Sequence, residues 1–303
     1  MPTFVPGWSP HFAARAAARL DASGRFCTVA PMPKTLPPVW SLSKYRINYY
    51  MQGDAGSCWL HAAKQLAEVM GNALNYAAFP VCRRLIGYEG KQLEGGGNPS
   101  DGGSPTDAIV TMTPAGVGMA HEYLAPYTDD ARVLGLKPPA NVYADAAHSH
   151  ILAPVKVANL DQAKRLIASG HPVANGIWWP EGSDGWDSPQ AIMRGFSQGE
   201  MGHALLLIGF AAAGIIDAEP CIQLDNWHGL LYPPLTPAQA IRVPGYNPIN
   251  DQATSDFWVT ETAYLEVCRQ APPEHVSATD FNGLANGIVV PNPGADFSNA
   301  FVV

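Results

Sequence analysis

One cysteine stands in a sequence setting that favours a nucleophile. Cys58 closes the stretch QGDAGSC, behind Gly56 and Ser57, and directly precedes residues 59–70, whose apolar positions recur at helical spacing. A thiol in the first turn of a helix meets backbone N–H groups and the positive end of the helix dipole, which favour the thiolate. The alternative is packing, because free cysteine is among the most buried residue types. The rest of the chain has to decide between these two interpretations.

A thiol nucleophile also needs a base and a group that orients the base. His203 stands at the entry of the apolar run 204–210, and Asn226 stands at the exit of the short apolar run 221–224. A single histidine beside a strand is more often structural. Together with the setting of Cys58, however, the pair favours a Cys-His-Asn arrangement.

These residues resemble the papain-like cysteine peptidases over roughly residues 37–268. Ala55-Gly56-Ser57-Cys58-Trp59 departs from that family's C-G-[SA]-C-[WY] signature only at its first position. His203 lies 145 residues after Cys58, within the family's usual spacing, and Asn226 lies 168 residues after it. The resemblance implies catalysis by Cys58, His203 and Asn226.

The resemblance also implies an oxyanion site and a substrate-binding cleft. Gln52, six residues before Cys58, corresponds to the family's side-chain amide that joins the Cys58 N–H in holding the oxyanion. Substrate-binding positions carried over from the family are Gly102, Gly103, Ser104, Pro105, Gly176, Gly202 and Trp227. Gly102 and Gly103 fall in a segment whose backbone pairs with bound peptide. Ser104 and Gly176 predict a roomy pocket for the residue two before the cut bond, called P2 here.

Several tryptophans near the predicted cleft have an open role. Trp227 directly follows Asn226, whereas the family's shielding tryptophan comes one position later. Whether Trp227 shields the hydrogen bond between His203 and Asn226 is therefore open at this point. Trp178, Trp179 and Trp186 bracket a polar loop at residues 181–184. We expect ordinary packing for these three, with substrate or sugar binding as the alternative.

The five cysteines predict a protein without disulfides. They are widely spaced, odd in number and form no C-x-x-C pair, which supports neither a disulfide framework nor a zinc site. Ala55 and Ser100 also replace two cysteines that family members from oxidising compartments pair. The sequence therefore predicts a cytoplasmic or other reducing compartment.

Composition excludes several classes of function. The formal net charge is -8 and no basic stripe follows the chain, which argues against nucleic-acid binding. The longest apolar run, 204–216, contains two glycines and is too short for a bilayer, so we expect no membrane insertion. The start does not resemble a signal peptide. We expect no metal or cofactor, and a peptide or protein substrate.

The predicted fold is α+β and two-lobed, with the active-site cleft between a helical lobe, mainly 52–135, and an antiparallel β-barrel lobe, mainly 150–268. Residues 1–36 are a short N-terminal extension, 37–268 the peptidase domain, and 269–303 an irregular C-terminal extension. Because only 36 residues precede this domain, the sequence argues against inhibition by a long prosegment.

Two functions besides peptide hydrolysis remain open at this point. The domain could be a structural or binding component of a larger assembly, such as a virus particle or a secreted assembly, with partner contacts through either extension. A transferase using the same thiol is the other alternative.

Overall fold

The computed structural model describes residues 7–23, 32–47, 50–152, 154–180, 190–195, 199, 201–227, 232–246, 255–270, 274–278 and 281–282. Its α-helices are α1 (Pro10–Ser23), α2 (Cys58–Ala73), α3 (Arg83–Glu94), α4 (Pro105–Thr111), α5 (Ala131–Leu134), α6 (Ala140–Ala146), α7 (Leu160–Ala168), α8 (Pro237–Ala240) and α9 (Glu261–Gln270). Its strands are β1 (Val39–Ser41), β2 (His150–Ile151), β3 (Pro154–Lys156), β4 (Val173–Trp179), β5 (Ile192–Met193), β6 (Met201–Ala211), β7 (Cys221–Asp225), β8 (Asp256–Thr260), β9 (Glu274–Ala278) and β10 (Phe281–Asn282).

The second half of the chain builds one large sheet in the order β3-β9-β4-β6-β7-β8-β5, with β1 paired to β6. All of these pairs are antiparallel except β5 with β8. The long strand β6 lies between β4 and β7 and is buried almost throughout, which explains its continuous apolar sequence.

Helix α2 joins this sheet to the helical lobe. Among its 16 residues only Asn72 is not buried, because α2 packs against β6 on one side and against α3 and α4 on the other. A helix that is buried on all sides needs apolar or paired residues all round. Cys58 at its first position therefore lies where the two lobes meet.

The predicted α+β, two-lobed arrangement is confirmed. A helix begins after Ser57, as the sequence indicated, and two others begin after Ser104 and Asn159. Ser104 and Asn159 act as N-caps, since their side chains accept hydrogen bonds from the backbone N–H groups of Thr106 and Gln162.

The prediction of an irregular region from 269 onward was wrong for residues 274–278. These residues form β9, which pairs with β4 and β3 inside the main sheet. The neighbouring prolines and the polar Glu274 and His275 had hidden the strand in the sequence. Residues 283–303 lie outside the described ranges. In the part of the chain that is described, no helix has the length and apolar character needed to cross a membrane.

Candidate active site

The Cys58 thiol lies at the N-terminal end of α2, against the sheet. The backbone N–H of Ala204 in β6 donates a hydrogen bond to Cys58 Sγ at 3.3 Å. This hydrogen bond places the backbone of Ala204, the residue directly after His203, next to the sulfur. The thiol and the histidine, far apart in sequence, are therefore neighbours across the boundary between the lobes.

His203 is oriented by Asn226 through one ring nitrogen. Nε2 of His203 lies 2.8 Å from Asn226 Oδ1, which also accepts the backbone N–H of Trp227 at 2.8 Å. Asn226 Nδ2 donates to the Tyr232 hydroxyl at 3.1 Å, and this bond fixes which way the amide points. Nε2 must then carry the hydrogen, so Nδ1 is the basic nitrogen of the neutral ring.

Aromatic rings surround the His203–Asn226 pair. The Trp179 ring stands edge-on to His203 with centroids 5.0 Å apart, and Trp227 lies tilted at 6.5 Å. Both tryptophans are buried. Trp227 thus contacts the histidine although it directly follows Asn226. Trp179, for which the sequence favoured ordinary packing over substrate or sugar binding, shields the same ring from water. Trp186 lies outside the described residues.

Gln52 is held in a buried loop in front of α2. Its Nε2 donates to Ala55 O at 2.9 Å, and its backbone N–H donates to Trp227 O at 2.9 Å. The Tyr127 hydroxyl donates to Gln52 O at 2.6 Å and accepts from Ser57 Oγ at 2.7 Å. An amide nitrogen carries two hydrogens. The bond to Ala55 therefore leaves a second donor, on which the predicted oxyanion role of Gln52 depends.

The buried His61 also stabilises the loop that precedes α2. His61 Nδ1 lies 2.9 Å from Ser57 O, and Arg83 Nη1 lies 2.9 Å from His61 Nε2. Burial, followed by the nearby charge of Arg83, lowers the pKa of His61 well below its usual value. A neutral His61 therefore donates to Ser57 O and accepts from Arg83. No signal for this role is visible in the sequence, because His61 occupies one of the ordinary positions of the helix.

The N-terminal segment 7–9 lies across the cleft. Gly7 O accepts a hydrogen bond from Gly103 N at 2.9 Å, so the predicted peptide-binding backbone holds the chain's own N-terminal region. A Cβ atom added to Gly7 would overlap Cys58 Sγ and Gly56 O. Only glycine fits this close to the sulfur. Although the sequence argued against a long inhibitory prosegment, this short segment covers the thiol.

Trp8 occupies the pocket beside the thiol. Its side chain is buried, and a Cβ atom at Gly176 would overlap the indole, while one at Gly202 would overlap the Trp8 carbonyl oxygen. Trp8 Nε1 donates to Glu274 Oε2 at 2.7 Å. Trp178 stands edge-on to the indole with centroids 6.3 Å apart. Gly176, a predicted pocket position, and Gly202, a predicted substrate-binding position, therefore lie together around an aromatic side chain.

Glu274 forms the base of this pocket. The carboxylate accepts hydrogen bonds from Ser104 Oγ and, at 2.9 Å, from the backbone N–H of Thr106 at the start of α4. Pro105 is the first residue of that helix, and Gly102, with φ +87°, faces Gly7 O. Burial raises the pKa of Glu274. Sequence reasoning missed Glu274 because it belongs to the segment that was read as irregular.

Burial raises the pKa of the Cys58 thiol to about 12 in this arrangement. The sequence predicted a lowered pKa, from the backbone N–H groups and the dipole of the helix. Backbone N–H groups of Ala204, Trp59, Cys58 and Gly7 do lower it, but the loss of water around the sulfur outweighs them. The closed cleft therefore favours the protonated thiol.

Among the described residues, no group of three or more His, Cys, Asp or Glu side chains is placed to hold a metal ion. Cys58, Cys82, Cys221 and Cys268 are free thiols, and Cys27 lies outside the described ranges.

No protein-family model and no curated protein matches this chain by sequence. Solved structures do match it. Xylellain, a cysteine protease from Xylella fastidiosa, superimposes with a TM-score of 0.64 at 19% identity, over 92% of this chain and 96% of that chain. The bromelain protease from Ananas comosus gives a TM-score of 0.59 at 13% identity, over 80% and 99%. ProCathepsin B S9 from Trypanosoma congolense gives 0.59 at 10%, over 91% and 86%. The chain therefore has the papain-like fold of these cysteine proteases, with a divergent sequence.

Proposed function

We propose that the protein is a cysteine peptidase that hydrolyses peptide bonds through Cys58, His203 and Asn226. The observation that carries this proposal is the meeting of these residues at the lobe boundary. Ala204 N–H reaches Cys58 Sγ, and His203 Nε2 is bonded to Asn226 Oδ1. The similarity to solved cysteine proteases supports the reaction class through the fold alone.

The reaction begins when His203 Nδ1 accepts the proton of the Cys58 thiol. The sulfur attacks the substrate carbonyl carbon, and the resulting oxyanion is stabilised by the Cys58 backbone N–H, which has no partner within its own helix turn, and by Gln52 Nε2. The imidazolium then protonates the leaving amine, the C–N bond breaks, and a thioester remains on Cys58. His203 next removes a proton from water, the resulting hydroxide attacks the thioester, and Cys58 leaves with its proton restored.

The aromatic surroundings suit this proton transfer. Trp179 and Trp227 exclude water from the bond between His203 and Asn226, and hydrogen bonds to a charged group are stronger where water is excluded. Asn226 therefore stabilises the imidazolium that forms during the reaction, in the orientation that presents Nδ1 to the thiol.

The N-terminal segment blocks this site in the closed structure. In a productive complex the residue that follows P2 in the chain lies at the thiol. Trp8 occupies the predicted P2 pocket, yet Gly7, which precedes it, lies at Cys58. The segment therefore runs opposite to a substrate and presents no peptide bond in the orientation for attack.

Labelling with an epoxide-type thiol inhibitor tests the proposal. The variant Trp8→Ala, which empties the pocket, is incubated at neutral pH with the inhibitor and with a casein substrate, and the modified residue is located by mass spectrometry. We expect modification of Cys58 and hydrolysis of casein, both lost in Trp8→Ala/Cys58→Ala. Both should be kept in Trp8→Ala/Cys268→Ala, since Cys268 is a more exposed thiol but is not the proposed nucleophile. A folded Trp8→Ala protein that neither reacts at Cys58 nor cuts casein would favour an idle, structural domain.

A further inference from the structure

His61 lies in α2, three residues after Cys58, and both of its ring nitrogens have polar partners. Nδ1 lies 2.9 Å from Ser57 O, and Nε2 lies 2.9 Å from Arg83 Nη1. A guanidinium has N–H donors and no acceptor, so Nε2 must accept and Nδ1 must carry the hydrogen. The Ser57 hydroxyl is farther from Nδ1, at 3.5 Å. The two contacts together therefore select one neutral tautomer, in which His61 donates to Ser57 O.

Arg83, which selects this tautomer, is itself held in one orientation. Its Nε and Nη2 donate to Glu122 Oε1 at 3.0 and 2.8 Å, and its backbone N–H donates to Glu122 Oε2 at 2.9 Å. The guanidinium also lies over the Tyr127 ring, 4.0 Å from the ring centroid. A fixed guanidinium on Nε2 fixes the direction in which the N–H of His61 points.

Packing alone does not explain a histidine at position 61. The side chain is buried, and its ring stacks on Trp227 with centroids 6.1 Å apart and meets the edge of Tyr127 at 4.9 Å. A phenyl ring would fill this space without burying polar atoms, which is unfavourable unless they are hydrogen-bonded. What the histidine adds is therefore the hydrogen bond to Ser57 O.

The Ser57 carbonyl and the Cys58 N–H belong to the same peptide group. This group is planar and trans, so its C=O and N–H point in opposite directions. A hydrogen bond that fixes the direction of Ser57 O therefore also fixes that of the Cys58 N–H. Because Cys58 is the first residue of α2, its N–H has no acceptor within the helix, and it is the backbone donor assigned to the oxyanion.

The His61 ring is nearer to this carbonyl oxygen than the backbone donors of the helix are. The N–H groups of Leu60 and His61 donate to Ser57 O at 3.1 and 3.3 Å, against 2.9 Å for His61 Nδ1. Ser57 makes no side-chain hydrogen bond to the start of α2, since its hydroxyl is bonded to Tyr127. The contact by which an N-cap serine usually orders the first turn is therefore replaced by the ring of His61.

We propose that His61 is a positioning residue that directs the Cys58 N–H toward the oxyanion of the substrate, through its hydrogen bond to Ser57 O. This proposal rests on the proposed function for the existence of the oxyanion, but the hydrogen bond itself can be observed without turnover. His61 touches neither the substrate nor the reacting atoms and acts through the peptide group between Ser57 and Cys58.

Nuclear magnetic resonance of the full chain tests the hydrogen bond directly. In protein with isotopically labelled histidine, the shifts of the two ring nitrogens show which of them carries the hydrogen. The signals of His61 are identified by their absence in His61→Asn or His61→Phe. We expect the neutral Nδ1–H tautomer at neutral pH. An Nε2–H tautomer or a charged ring would overturn the proposal, whatever the activity of the protein.

Kinetics in the Trp8→Ala background test the consequence for the oxyanion. His61→Phe keeps a flat ring but removes the donor, whereas His61→Asn retains an amide donor close to the place of Nδ1. Each variant is assayed for peptide hydrolysis, whose transition state carries the oxyanion. Each is also assayed for alkylation of Cys58 by iodoacetamide, in which the sulfur displaces iodide and no oxyanion forms.

We expect His61→Phe to lower kcat about 5- to 20-fold with KM unchanged. This is less than the about 100-fold or larger loss on removal of an oxyanion donor, because the backbone donors of the helix still hold Ser57 O. Alkylation should change by less than about twofold, and His61→Asn should restore kcat to within about threefold. An unchanged kcat in His61→Phe, or alkylation slowed as much as hydrolysis, would overturn the proposal. A folded His61→Asn protein as slow as His61→Phe would overturn it as well.

His275→Phe is the matched control, since His275 is a second buried histidine, whose ring bonds to the Tyr264 hydroxyl at 2.6 Å in the sheet lobe. It should change neither hydrolysis nor alkylation. The two arms also separate this proposal from the peptidase proposal. The Nδ1–H tautomer in a Trp8→Ala protein that hydrolyses no peptide would contradict only the proposed function. Hydrolysis by Trp8→Ala that His61→Phe leaves unchanged would contradict only the role of His61.

Discussion

The two walls of the cleft hold the N-terminal segment in different ways. The wall of the helical lobe binds Gly7 through the backbone, with Gly103 N donating to Gly7 O. The wall of the sheet lobe binds Trp8 through its side chain, which fills a fitted pocket and donates to Glu274. Backbone hydrogen bonds accept almost any sequence, whereas a fitted pocket discriminates between side chains. The helical wall is therefore suited to binding a peptide backbone of almost any sequence, and the sheet wall to discriminating between side chains.

The same contrast applies to the reactive groups. On the helical side, the loop before Cys58 is held by polar bonds, with Tyr127 linking Gln52 and Ser57. On the sheet side, His203 and its partner Asn226 are held by strand register and by packed aromatic rings. On the helical wall, several polar contacts together hold the loop in place. On the sheet wall, a single buried hydrogen bond orients the base. Removing one group should therefore have a larger effect on the sheet side.

The largest effect is expected from removing Trp8. Trp8→Ala loses a buried indole, which typically costs ~3–5 kcal/mol and here destabilises only the closed arrangement. Labelling of Cys58 at neutral pH should rise by about 100-fold or more. The pH profile should shift as well: with a pKa of about 12, the closed thiol gains thiolate about tenfold per pH unit throughout the alkaline range. Exposure to water removes the main cause of that raised pKa, so the rise should move to lower pH in the variant.

The matched control for this prediction is Trp40→Ala, a tryptophan of β1 that packs against the core, where β1 pairs with residues 209–211 at the end of β6 farthest from His203. We expect Trp40→Ala to lower the melting temperature without accelerating labelling. Similar acceleration in both variants would mean that general loosening, and not release of the segment, exposes the thiol.

The next largest effect is expected from Asn226→Ala. The variant loses the acceptor that binds His203 Nε2 and favours the imidazolium, a charge-assisted bond. We expect kcat for a peptide substrate, measured in the Trp8→Ala background, to fall about 10- to 100-fold.

Tyr232→Phe is the control for Asn226→Ala. It removes only the hydroxyl that accepts from Asn226 Nδ2 and leaves Oδ1 on His203. A loss of less than about threefold is expected. Should Tyr232→Phe reduce kcat as much as Asn226→Ala does, packing around the amide would matter more than its bond to the base.

The sequence was sufficient to predict what depends on local pattern. The helix after Cys58 follows from its apolar spacing, and β6 from its continuous apolar run. That Cys58, His203 and Asn226 act together stays a prediction, which rests on their spacing and on the resemblance to a family with this fold. In these cases the information lies in short segments or in ordered motifs.

The base of the pocket could not be predicted, because it depends on non-local pairing. Glu274 reaches Trp8 only because β9 pairs with β4, and the sequence of β9 has no clean alternation. The raised pKa of Cys58 escaped prediction for a related reason. The dipole of α2 is visible in the sequence, but burial by Gly7 depends on how the N-terminal segment crosses the cleft.

The smallest effect is expected from Tyr127→Phe on the helical wall. Burial raises the pKa of Tyr127 to about 12, so its hydroxyl keeps its proton at neutral pH and donates to Gln52 O. Its loss removes two neutral hydrogen bonds, but Gln52 N–H on Trp227 O and Gln52 Nε2 on Ala55 O continue to hold the loop. We expect kcat to fall about two- to tenfold in the Trp8→Ala background, with KM unchanged, because a displaced Gln52 weakens only the oxyanion contact.

Tyr143→Phe provides the comparison for Tyr127→Phe, since the Tyr143 hydroxyl also makes a bond of 2.6 Å in the helical lobe, to Glu89, away from the cleft. It should leave kcat unchanged. Equal kinetics in the two variants would show that the loop keeps its position without Tyr127. A drop with Tyr127→Phe as large as with Asn226→Ala would instead contradict the contrast between the walls, because the helical side would then also depend on one side chain.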